Sequence, residues 1–191
     1  MADGVDPGLE DALREALSQA VAATPDGDGA DPAATLGDAL ATALRGRLGW
    51  GSTVIAPDRV TSYSARQTAS VDVEVGVRTR FTGRTRACVA VAGDVPDALA
   101  RAATSARLGA ASAYVLAVAG RDDWNRPPLS ATPADGDAAT ARRLHGHHAG
   151  GVPLPARFAV ELVAQVPVAG GERTARLHRV DVADDVPDLA G

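Results

Sequence analysis

The sequence predicts an α+β (mixed α/β) fold: a central sheet with an Arg-tipped β-hairpin, N-terminal helices and one further helix packed on one face, and a C-terminal hairpin. Three observations predict it. Val71, Val73, Val75 and Val77 alternate with polar or small residues, and Ala87, Val89 and Val91 repeat the period of two after a turn. Two stretches near the N-terminus carry leucines every four residues. A small-residue helix then leads into the apolar run Tyr114–Val118, and two further strand patterns close the chain.

Residues 7–22 read as an amphipathic helix, with Asp6 as cap, Pro7 in the first turn and Leu9, Leu13, Leu17 and Val21 as its stripe. Residues 1–23 form a helix that either pairs with the next or serves as a tethered arm, and residues 24–31 form a polar linker. Asp31-Pro32 repeats the start signal for a second helix to about residue 48, striped by Leu36, Leu40, Leu44 and Leu48. Trp50 to Ala56 reads as a short strand, and 58–70 is polar without a clear period. A helix over 96–108 stops at Gly109 and presents Leu99, Ala102, Ala103, Ala106 and Leu108 for close packing. Residues 120–156 form a long excursion rich in Pro, Gly, Asp and His, with a short helix over about 136–145. Strands around Phe158–Val166 and Ala175–Val182 flank a turn at 167–172, with His178 a spacer on the polar face of the last. Residues 32–183 are therefore one domain, followed by an acidic tail at 184–191.

A three-residue loop Phe81-Thr82-Gly83 sets an expected register for the hairpin: Val73 opposite Val91, Val75 opposite Val89, Glu74 opposite Ala90, Arg78 opposite Arg86 and Arg80 opposite Arg84. One face is then valine. The other carries acids at its base and Arg78, Arg80, Arg84 and Arg86 at its tip, a cluster that suits an anionic or acidic partner. The plainer alternative is that the arginine stems splay into water or meet local carboxylates.

The net charge is −5, so any nucleic-acid contact must be local. All 19 basic residues are arginine, with no lysine. With 3% aromatic residues, there are few platforms for base stacking. A lone cysteine, Cys88, excludes an intramolecular disulfide and reads as a structural thiol. No apolar run is long enough to span a bilayer and no secretory leader is evident, so a cytoplasmic protein with no membrane partner is expected.

Asp72 and Glu74, two apart on one strand face, are candidates to share a cation, and His145, His147 and His148 are the one histidine cluster that could hold a metal. Their flanks, Arg142-Arg143 and Gly150-Gly151, equally suit an exposed loop. No nucleophile elbow, dinucleotide fingerprint or phosphate loop is present, so no catalytic residue and no cofactor are expected.

The order α-β-β-β-α-β over residues 32–119 resembles the core of the PD-(D/E)XK nuclease superfamily, with Asp72 in place of the acid on its second strand and Asp97–Val118 like the segment after its motif. The resemblance implies Mg²⁺ held by that acid and by the Glu of a Glu-x-Lys on the third strand, whose lysine helps activate water. Here that strand offers Cys88, Ala90 and Ala92, with neither carboxylate nor lysine, so it implies a degenerate relative without catalysis. The expected function is a non-catalytic interaction or assembly protein, a subunit of a larger cellular or phage-type complex, with a protein partner or self-association. The alternatives are a nucleic-acid-associated protein on a nuclease-like core and a metal-dependent hydrolase using Asp72, Glu74 and a histidine of the excursion.

Overall fold

The computed structural model describes residues 7–24, 32–48, 52–55, 59–64, 67–78, 83–92, 95–107, 110–120, 140–142, 148–149, 152–153, 158–168 and 171–182. Helices α1 (Pro7–Ala23) and α2 (Pro32–Arg47) precede strands β1 (Ser52–Ile55), β2 (Arg59–Ser64), β3 (Gln67–Val71), β4 (Val73–Arg78) and β5 (Gly83–Ala92). Helix α3 (Val95–Arg107) leads to β6 (Ser112–Gly120), β7 (Thr140–Arg142), β8 (His148–Ala149), β9 (Val152–Pro153), β10 (Phe158–Pro167) and β11 (Arg173–Val182). Among the described residues the main sheet has seven strands in the order β1-β4-β5-β6-β11-β10-β7, and β2-β3 and β8-β9 are separate two-stranded ladders. Its parallel pair is β5 and β6, joined through α3, as a parallel connection requires.

Alternation buries both faces. Val73, Val75, Val89, Val91, Tyr114, Leu116, Ala175 and Leu177 pack under α1 and α2. Ala90, Ala113, Val115, Ala117, Val160 and Val180 pack with Ala98, Leu99, Ala102 and Ala103 of α3 on the other side. The helix stripes therefore point where their four-residue spacing aims them. Leu13, Leu17, Leu40 and Leu44 are fully buried, each worth roughly 2–3 kcal/mol in removal from water.

The α+β class holds, with helices on both faces of the sheet in place of the expected one. A sheet with both faces covered has no polar face in its central strands. His178 is accordingly no spacer on a polar face but wholly buried on the α3 side of β11. α1 is docked rather than loose: Leu9, Leu13 and Leu17 sit in the core, and Arg47 of α2 pairs with Glu15 of α1. Residues 140–142, expected in a short helix, pair with Phe158–Val160 as β7. The polar stretch without a clear period forms the β2-β3 hairpin, Thr61 opposite Ala69. The C-terminal hairpin is as expected, with Pro167 opposite Thr174 and a turn through Gly171 at φ 75°, a left-handed conformation that suits glycine.

The first hairpin differs in register. Val73 pairs with Val89, Glu74 with Cys88 and Val75 with Ala87, two residues from the expected partners. A two-residue shift preserves the faces, so the valines still line the core. Nearer the tip Gly76 pairs with Thr85 and Arg78 with Gly83, leaving Arg86 as the extra residue of a β-bulge. Gly83 opens β5 instead of closing a three-residue loop. The linker residues 25–31, Phe81, Thr82, Gly109 and the tail at 184–191 lie outside the described residues.

Candidate functional site

The site best defined by its geometry is at the C-terminal end of β5. The ladder of β4 reaches Val89 through Val73 and stops, because the chain before Asp72 leaves the main sheet: Val71 pairs with Arg59 of β2. Asp72 lies at this junction, and its own amide donates to Val89 O at 3.1 Å. Val91, two residues on, therefore has no β4 residue beside it. Its amide donates to Asp72 Oδ2 at 2.6 Å, and its carbonyl accepts from Arg101 Nη2 at 2.9 Å. Arg101 Nη1 donates to the same Asp72 oxygen at 2.6 Å. Carboxylate and guanidinium together stand in for the missing strand and tie α3 to the edge of β5. A charge-assisted bond to a backbone amide is stronger than a neutral one, and both side chains are largely shielded, at 22% and 16% exposure.

Glu74 follows on the same face, half-buried and opposite the fully buried Cys88. Asp72 lies at the sheet edge, where its carboxylate is engaged by Arg101 of α3 and the Val91 amide. No group of three His, Cys, Asp or Glu side chains able to hold a metal occurs among the described residues. His148 begins β8, which pairs with β9. His145 and His147 lie outside the described residues, as does Arg80.

At the hairpin tip the bulge at Arg86 rearranges the expected arginine face. Position 78 stands opposite Gly83 and position 84 opposite Val77, neighbouring pairs that fall on alternate faces of the ladder. The expected pairing of Arg78 with Arg86 does not form: the register is displaced by two residues at Val73–Val75 and by a third at the bulge.

Two arginine centres were not anticipated. On the α1 side, Arg179 of β11 donates to Glu10 Oε1 at 2.9 Å, to Asp181 Oδ2 at 3.1 Å and to Glu161. Glu10 is buried, and Arg14 lies 3.5 Å from its other oxygen. Burial alone would lower the Arg179 pKa, but Asp181, Glu10 and Glu161 raise it on balance. Beneath them the hydroxyl of buried Tyr114 donates to Glu10 at 3.5 Å, and burial pushes its pKa to about 12. On the α3 side, His178 and Arg176 are two residues apart on β11 and share a face. Burial, with Arg176 nearby, lowers the His178 pKa to about 4, and burial lowers that of Arg176. The signal for both centres was in the alternation of β11: Ala175 and Leu177 place Arg179 on the α1 face, and Val180 places His178 and Arg176 on the α3 face. Arg101 was signalled by its position beside Leu99 and Ala102 in the small-residue helix.

None of the described helices is long and apolar enough to cross a membrane. Comparison with protein-family models, with curated proteins and with solved structures found no match.

Proposed function

We propose that this chain is a non-catalytic interaction or assembly protein, a subunit of a larger complex. The observation that carries the reading is the use of Asp72. The acid best placed by sequence for metal chemistry completes the β5 ladder at Val91 and pairs with Arg101. A carboxylate held this way positions backbone; to bind a metal it would have to release both partners. The arginine-bearing hairpin β4-β5, with Arg78, Arg84 and Arg86 in its strands, offers contact with an acidic protein surface or with a second copy.

A second reading is supported by the strand order. With the β2-β3 hairpin that is inserted between β1 and β4 set aside, the order is α2, β1, β4, β5, α3 and β6, with β4 antiparallel to both β1 and β5 and β6 parallel to β5. This matches the α-β-β-β-α-β order behind the nuclease-like resemblance and supports a nucleic-acid-associated protein on such a core. Fold order alone is compatible with many functions, so this reading ranks second.

The test is solution mass by light scattering, for the chain alone and with a short DNA duplex at low salt. A defined oligomer indifferent to DNA, weakened when Arg78, Arg80, Arg84 and Arg86 are changed to Ser, is the expected result. A monomer that shifts onto DNA and is released as salt rises would overturn it in favour of the second reading.

A further inference from the structure

A sheet that ends in short or partly paired strands exposes backbone groups that another strand can bind, and proteins commonly protect such edges with charged side chains, lysine above all. This chain has no lysine. Among the described residues, pairing nonetheless gives out at the two outer sides of its sheet. β1 is the outermost strand on one side, four residues long. On the other side β7 covers only Phe158–Val160 of the ten-residue β10, and among the described residues no strand continues beside Glu161–Pro167. Leu162, the one exposed large hydrophobic side chain among the described residues, sits on that stretch.

Each place is met by an arginine from the helix pair. Arg45, in the last turn of α2, donates through Nε to Val54 O of β1 at 3.2 Å. Arg14 of α1 donates through Nε to Val163 O of β10 at 3.1 Å. Val163 is the extra residue of the β10 bulge, between the pairs Leu162–His178 and Ala164–Leu177, so its carbonyl lies outside the regular ladder. Both bonds join residues from different layers and both are exposed. A guanidinium on an edge carbonyl occupies the acceptor that an incoming strand needs and places a charge in its path.

We infer that Arg45 and Arg14 guard the two sides of the sheet against pairing with another strand. The guard is independent of the proposed function: whatever partner the chain takes, these strands are withheld from it.

The experiment compares the full-length chain with Arg45→Ala, Arg14→Ala and the double variant by sedimentation velocity over a concentration series, each checked for native melting by circular dichroism. Loss of one charged hydrogen bond at an open edge is expected to bring self-association at about tenfold lower protein concentration, and lower still in the double variant. Val54→Pro supplies the discriminating arm. The amide and carbonyl of one strand residue point the same way, so proline there removes the outward donor and is tolerated on an edge. Arg45→Ala with Val54→Pro should return to the parental concentration dependence. Variants that sediment as the parent does, or association that Val54→Pro leaves untouched, would overturn the inference. If Arg45→Ala fails to fold, Arg14→Ala decides, with Asp11→Asn as the control for the ion pair that Arg14→Ala also breaks.

Discussion

Arg101 of α3 and Asp72 at the β3-β4 junction hold Val91 between them: one accepts its amide proton, the other donates to its carbonyl, and the two bond to each other at 2.6 Å. The contact joins three elements at the point where the ladder of β4 gives out. Truncating either side chain leaves a shielded charge and one open backbone group on Val91. Arg101→Ala and Asp72→Ala should each cost about 2–4 kcal/mol, whereas Asp72→Asn, which keeps an acceptor for the amide, should cost about half as much. The double-alanine variant should fall short of the sum by about 1–2 kcal/mol, because the pair acts as one unit. Urea denaturation of the four variants checks this. Full additivity would mean that the two side chains act separately.

His178 makes stability depend on pH in a narrow window. Its pKa falls from 6.5 unfolded to about 4 in the fold, through burial first and Arg176 second. The folded state therefore disfavours the protonated ring, and between these values the unfolded chain binds more protons. The contribution is complete above pH 6.5 and is lost as pH falls toward 4. From pH 7 to pH 5 the chain should lose about 2 kcal/mol of stability, since each unit of displacement corresponds to about 1.4 kcal/mol. His178→Leu should remove most of that slope. Melting curves at the two pH values distinguish the cases, and an unchanged slope in the variant would assign the acid sensitivity to another group.

Arg179 gathers Glu10, Glu161 and Asp181 and so fastens α1 to β10 and β11. Glu161 and Asp181 are half-exposed, at 51% and 54%, and add little. Glu10 is 10% exposed at its side chain and depends on the arginine. Arg179→Met should cost about 2–4 kcal/mol by leaving Glu10 shielded and poorly compensated. Glu10→Gln combined with Arg179→Met should recover much of that loss, because the stranded charge is then gone. Thermal melting of the two variants tests the sign of the second step.

The elements with strong periods were legible: the leucine stripes of α1 and α2, the valine alternation of β4, the small-residue face of α3 and the run Tyr114–Val118 all occupy the elements expected of them. Two kinds of information were not. Face-to-face layering could not be read from β11, where Arg173, Arg176 and Arg179 make a strand buried on both sides resemble a half-solvated one. Long-range ion pairs supply the burial that hydrophobicity alone does not predict. The hairpin pairs two residues out of the expected register at Val73–Val75, an even shift that keeps the valine face, and the bulge at Arg86 displaces it by one more toward the tip; no local pattern marks either. At the candidate site, Asp72 was found as a residue but its partner was not, because Arg101 lies twenty-nine positions away on another element.

The packing of α2 yields a prediction of opposite sign to the others. Glycine within a helix costs about 0.5–1 kcal/mol relative to alanine, through backbone freedom in the unfolded chain. α2 contains Gly37 and Gly46. A methyl group at Gly37 would lie 3.6 Å from Val91 Cγ2 and 3.9 Å from Asp72 Cβ, ordinary packing distances, and one at Gly46 would meet nothing within 4 Å. Neither position carries the positive φ that marks Gly171. Gly37→Ala and Gly46→Ala should therefore each stabilise the chain by about 0.5–1 kcal/mol, with Gly37→Ala gaining somewhat more from added contact with β5. Gly171→Ala should destabilise it by about 1 kcal/mol through left-handed strain. Chemical denaturation of the three variants separates helix propensity from packing. Destabilisation by Gly37→Ala would mean that α2 rests closer on Val91 than these distances allow, and that this glycine is there to permit the close approach.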